Sequence, residues 1–92
     1  MIKGFKDRAA ERLWMGETVK RYAAVQKQAL RRLDLLNAAA SLADLRAIRG
    51  NRLEVLKGNR KGQHSIRIND QWRLCFVWTT AGPKDVEIAD YH

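Results

Sequence analysis

A chain of 92 residues buries about 65% of its unfolded surface, which suits one small core and a single domain over 1–92. With 46% hydrophobic and 30% charged residues the composition is globular, and the lone Cys75 excludes an internal disulfide framework or a cysteine zinc site. The 18 Lys and Arg against 10 Asp and Glu give +8, which steers the protein toward polyanions: nucleic acid, ribosome, anionic membrane or an acidic protein.

Ile2–Phe5 is expected to form a short first strand. Asp7 can cap a helix to about Met15, with Ala9, Ala10, Leu13 and Trp14 near one face and Gly16 ending it. Thr18 is expected to cap a long second helix. Its apolar stripe is Val19, Tyr22, Ala23, Ala29, Leu30, Leu33 and Leu36, with Lys20, Lys27 and Arg31 opposite. Ser41 can start a last helical turn carrying Leu42 and Leu45. Near Gly50 the pattern changes from helical spacing to alternation. Leu53–Lys57, His64–Ile68, Trp72–Trp78 and Asp85–Tyr91 read as strands, with turns at 58–62 and 69–71 and a loop at Gly82-Pro83. Short connections favour an antiparallel meander. The expected fold is α+β, ordered β-α-α-β-β-β-β, with two or three N-terminal helices on one face of a small, mostly antiparallel sheet.

Alternation assigns the faces of that sheet. Trp72, Leu74, Phe76 and Trp78 should face the helices, with Ile66, Ile68, Val86 and Ile88. His64 shares that parity and reads as structural. Ser65, Arg67, Arg73, Cys75, Val77, Glu87, Ala89 and Tyr91 should face away. A three-residue loop at 69–71 pairs Ile68 with Trp72, and therefore Arg67 with Arg73. Opposed like charges are tolerable if both splay into water, and useful if an anion sits between them. The expected outer face thus gathers Arg67, Arg73, Tyr91 and nearby His92, with Lys57 at the neighbouring hairpin. Arg60 and Lys61 in the 58–62 turn are candidate RNA contacts. No residue set has metal-ligand spacing: Glu54, His64, Asp70 and Asp90 are scattered. The start of the chain has no apolar stretch of a secretory signal, and no run is long enough for a membrane span.

Leu53–Arg60, Gly62–Phe76 and Val86–His92 closely resemble the HigB toxins, a branch of the RelE/ParE superfamily of bacterial toxin–antitoxin systems. The Ile68-Asn69-Asp70-Gln71-Trp72-Arg73 stretch with the Tyr91-His92 ending is the most specific part, and Met1–Phe5 fits as well. The resemblance implies a RelE-like fold. It implies a bacterial endoribonuclease that cuts mRNA in the A site of the 70S ribosome; the lack of a signal or span suits a cytoplasmic protein, and the lack of metal-ligand spacing suits chemistry without a metal or other cofactor. It implies a HigA-like helix-turn-helix antitoxin that neutralises the toxin and represses the shared operon, so operator DNA is met only through the antitoxin. The family's functional residues match Lys57, Arg73, Asp90, Tyr91 and His92. Glu54 departs from the pattern, because some relatives carry histidine there, and this leaves the general base unassigned.

Metal-free RNA cleavage uses the neighbouring 2′-hydroxyl as nucleophile and needs positive charge at the phosphate and two proton transfers. Arg73 and Lys57 suit the charge, His92 the proton, Tyr91 the orientation of a group or a base, and Asp90 the fixing of His92. Two rival functions share the composition: a ParE-like gyrase inhibitor and a non-enzymatic basic nucleic-acid-binding module. Gyrase inhibition does not require the Lys57, Arg73, Tyr91 and His92 set, and against the binding module no helix-turn-helix reading helix or RNP-type aromatic row is evident.

Overall fold

The computed structural model describes residues 1–90. Three α-helices precede a sheet of four strands, an α+β fold. The helices are α1 (Arg8–Trp14), α2 (Gln26–Ala38) and α3 (Leu42–Ala47). The strands are β1 (Glu54–Val55), β2 (His64–Arg67), β3 (Trp72–Thr79) and β4 (Gly82–Asp90). They lie in the order β1-β2-β3-β4, every neighbour antiparallel.

Asp7 starts α1 as expected, its Oδ1 accepting from Ala9 N at 3.0 Å. Its Oδ2 accepts from the Tyr22 hydroxyl at 2.9 Å and from Ile88 N at 3.3 Å. One carboxylate therefore joins α1, the segment before α2, and the last strand. Burial, then the bond to Asp7, pushes the Tyr22 phenol up to about 12, so it stays a donor.

The long second helix begins later than expected, and Thr18 does not cap it. Lys20–Val25 forms 3₁₀ turns preceded by extended Val19, and α2 starts at Gln26. Three residues per turn explain the difference. Val19, Tyr22 and Val25 are spaced by three and all are buried, whereas Ala23 of the expected stripe is exposed. From Gln26 the spacing becomes helical, and Ala29, Leu33 and Leu36 fill the core. Ser41 caps α3 as expected, its Oγ accepting from Asp44 N at 3.3 Å, while Asp44 Oδ2 takes Ala40 N at 2.8 Å.

The opening strand proves shorter than expected. Phe5 makes a single parallel bridge to Val86, flanked by Lys3 N donating to Pro83 O and Val86 N to Gly4 O. Gly82 and Pro83, expected in a loop, begin β4, with Pro83 opposite Trp78. Gly82 has φ +128, and a Cβ there would sit 2.4 Å from Met1 O, so only glycine fits beneath the incoming chain. A bulge between Cys75 and Val77 puts Asp85 at φ 52 and lets Val86 return to the core.

The 69–71 turn sets the expected register: Asn69 Oδ1 accepts from Gln71 N at 2.9 Å and Trp72 N at 2.7 Å, and Arg67 lies opposite Arg73. On the helix side, Leu74, Phe76, Ile66, Val86 and Ile88 are buried as alternation requires. The other side is not the water-facing surface expected. Ser65 and Cys75 are fully covered, Arg73 is 8% exposed, and Leu56, Cys75 and Ala89 form a second small apolar cluster. Burial raises the Cys75 thiol pKa.

Asp7→Ala removes a cap and leaves Tyr22 and Ile88 N without their acceptor. The expected loss is about 2–3 kcal/mol in urea unfolding, with Asp7→Asn losing less.

His64 stacks on Phe76 with centroids 6.2 Å apart, and its Nδ1 is buried without a hydrogen-bond partner among the described residues. Burial, then nearby Arg46, lowers its pKa from 6.5. Below about pH 6.5 the unfolded chain therefore binds the proton more readily than the fold. Stability should fall with pH until the folded pKa is passed. Urea midpoints measured from pH 7.5 to 5 should show this slope, reduced in His64→Gln.

Candidate functional site

Alternation on β2 and β3 brings Arg67 and Arg73 to one end of the second face, directly opposed. Two guanidinium groups at that spacing repel unless each finds acceptors. Arg67 pairs with Asp70 in the adjoining turn. Arg73 turns along the sheet instead. Its Nε donates to Ser65 Oγ at 2.7 Å, and its Nη2 to Arg52 O at 2.6 Å and Ser65 O at 3.4 Å. Its Nη1 lies 3.9 Å from Glu54 Oε1. Rather than splaying into water, Arg73 is a rigid, hydrogen-bonded cation in the sheet surface.

A cleft opens above this pair, lined by Arg52, Glu54, Arg67, Asn69, Asp70 and Arg73. Three arginines face two carboxylates there. The cationic field continues into α2, where Arg32 Nη1 donates to Asn51 Oδ1 at 2.5 Å. The Arg32 pKa is lowered by burial first, then by Arg31 and Arg67. An anion entering the cleft would meet planar donors on a fixed floor, the geometry that suits phosphate oxygens.

Glu54 reaches the cleft because β1 pairs it with Ser65, which puts its side chain on the Arg73 side. At 54% side-chain exposure it is open to solvent and to a ligand. The sequence alone does not bring Glu54 to Arg73. Sequence reading missed Arg52 altogether, since that residue lies between a 3₁₀ turn and β1, where no periodicity applies.

Of the other sequence-selected residues, Lys57 is exposed just beyond β1, at the start of the 58–60 turn, and does not line the cleft. Arg60 lies farther along the face, donating to Glu87 Oε1 at 2.5 Å and Gln63 Oε1 at 3.2 Å. Lys61 is exposed in the same turn. Asp90 is opposite Trp72, with the strand parity of Val86 and Ile88 rather than of Ala89, and its Oδ2 accepts from Gln71 Nε2 at 3.0 Å. Tyr91 and His92 lie outside the described residues.

A family model described as the RelE-like toxin of type II toxin–antitoxin system HigB matches residues 3–92. Over 80 residues the chain is 41% identical to Toxin HigB-1 of Vibrio cholerae serotype O1 (strain ATCC 39315 / El Tor Inaba N16961). That alignment covers 85% of this chain and 84% of the toxin.

The burial of Arg73 changes what its replacement should do. Arg73→Ala leaves Ser65 Oγ and the Arg52 carbonyl without their donor, so a loss of about 2–3 kcal/mol in stability is expected. Arg73→Lys keeps charge but not the fork, and should lose less. Thermal melts of both variants, read beside growth inhibition, separate the structural loss from the functional one.

Proposed function

This chain belongs to the HigB-like family, RelE-like toxins of type II toxin–antitoxin systems, and from that premise we propose that it is a ribosome-dependent, metal-independent endoribonuclease. A toxin of such a system has an antitoxin partner. The finer reading is a HigA-like helix-turn-helix antitoxin, with operator DNA reached only through it. The substrate is mRNA in the A site of the bacterial 70S ribosome, and the place of action is the cytoplasm. No helix among the described residues is long and apolar enough to cross a membrane.

The observation that carries the enzymatic reading is the arginine cleft with a carboxylate on its rim. In this reading the 2′-oxygen attacks the adjacent phosphorus while the 5′-oxygen departs opposite to it. A 2′,3′-cyclic phosphate and a 5′-hydroxyl result. Arg73 holds a non-bridging phosphate oxygen from the sheet floor, and its existing bonds mean little reorganisation is needed as charge builds. Lys57 adds positive charge from the side, and Arg67, Arg60 and Lys61 hold the flanking RNA backbone. Glu54 takes the 2′-hydroxyl proton, filling the base role that its departure from the family pattern had left open. His92 returns a proton to the leaving oxygen, and Tyr91 orients the nucleotide. Asp90 stands on the other side of β4 from Ala89, away from the phosphate, and in this reading its role is to fix His92.

The test maps cut ends on mRNA in programmed ribosomes. Cuts should fall within the A-site codon and leave a 5′-hydroxyl on the downstream fragment. Glu54→Gln should slow single-turnover cleavage about a hundredfold or more, with ribosome binding unchanged. Chelation should leave the chemistry intact so long as the ribosome stays assembled. A 5′-phosphate would mean attack by water and would overturn the mechanism. Intact mRNA together with inhibited gyrase supercoiling would turn the reading to a ParE-like toxin.

A further inference from the structure

We propose that Arg52 is an RNA phosphate-binding residue of the cleft and that Arg73 positions it, an inference that rests on the RNA-directed function above. Arg52 sits at φ 44, ψ 58, a left-handed conformation that L side chains rarely adopt. It is held there from both sides. Before it, the buried Asn51 is fixed by Nδ2 donating to Leu45 O at 3.0 Å and by Oδ1 accepting from Arg32 at 2.5 Å. Arg52 N donates to Arg49 O at 3.3 Å. After it, the Arg52 carbonyl accepts from Arg73 Nη2 at 2.6 Å. A guanidinium on β3 thus fixes the backbone of a residue 21 positions earlier.

The side chain so placed lines the same cleft as Arg67 and Arg73. The three cations differ in their engagement. Arg67 is paired with Asp70, and Arg73 with Ser65 and the Arg52 carbonyl. The Arg52 guanidinium makes no hydrogen bond or ion pair with any described residue, and Arg52 is exposed. It is the cation with a whole planar fork available to an incoming anion. An RNA phosphodiester between the cleft walls would be held by Arg73 from the floor and Arg52 from the rim. The 2.6 Å bond then has a function beyond stability, since it sets the rim cation relative to the floor cation.

Glycine separates side chain from backbone, because it adopts φ 44 without strain. Arg52→Gly should melt at or slightly above the wild-type temperature. The binding probe is a 2′-O-methyl pentanucleotide, which cannot be cleaved by its 2′-oxygen, titrated into the full chain by NMR at several salt concentrations. Arg52→Gly should bind roughly tenfold more weakly at low salt, with a salt slope shallower by about 0.7. Arg52→Lys should restore the slope and part of the affinity. Arg73→Lys should weaken binding less in the Arg52→Gly background than alone, since the residue it positions is then gone. The inference is overturned by equal affinity and slope for wild type and Arg52→Gly, or by a wild type that leaves the probe unbound at millimolar concentration. It is likewise overturned if Arg52→Gly loses only antitoxin affinity. Failure of the cleavage reading is separately visible, as intact mRNA on ribosomes with wild type while the oligonucleotide difference persists.

Discussion

The second face of the sheet is organised by one buried guanidinium. Arg73 lies flat across β2, with Ser65 Oγ, Ser65 O and the Arg52 carbonyl as acceptors. A buried charge without such partners would be strongly destabilising. The partners are therefore as necessary as the arginine. They fix the segment before β1, and with it the wall of the cleft. Glu54, two residues beyond Arg52, is brought to the same cleft by pairing with Ser65. The guanidinium at the cleft floor thus also fixes the segment that leads into the strand carrying a carboxylate.

The opposed Arg67 and Arg73 show how a locally unfavourable pair is tolerated. Neither is left to solvent alone: Arg67 leans to Asp70 in the turn, and Arg73 leans along the strand toward Ser65. Both line the cleft that opens above them. Next along the same face, Arg60 pairs with Glu87, and the Leu56, Cys75 and Ala89 cluster reaches Arg73 itself, since Ala89 lies opposite it.

On the opposite side, Asp7 plays the corresponding part. Its two oxygens serve α1, Tyr22 and the backbone of Ile88. Tyr22 in turn meets the edge of Trp72 at 5.4 Å, and Arg21 lies over both rings. The 3₁₀ segment before α2 follows from this anchoring, since a phenol reaching Asp7 and two valines three residues away need a three-residue turn. The last strand is held between this hub and the Arg73 face.

Local pattern in the sequence determined the class, the antiparallel meander and the facing of β2, β3 and the second half of β4. Alternation is a property of neighbouring residues, and an odd-length turn at 69–71 leaves one register that keeps Ile66 and Leu74 together. The same reasoning placed Arg67 opposite Arg73 and Asp7 and Ser41 at helix starts. Only the tertiary structure decided the rest. Parity says which face a side chain takes, not whether that face is covered, so Arg73, expected on an outer face, is only 8% exposed. The 3₁₀ geometry at 20–25 depends on Asp7, 15 residues from Tyr22. The left-handed Arg52 depends on an acceptor bond across 21 residues. Glu54 and Arg52 join the cleft through cross-strand pairing and a distant guanidinium, and neither is a property of the residues beside them in the chain.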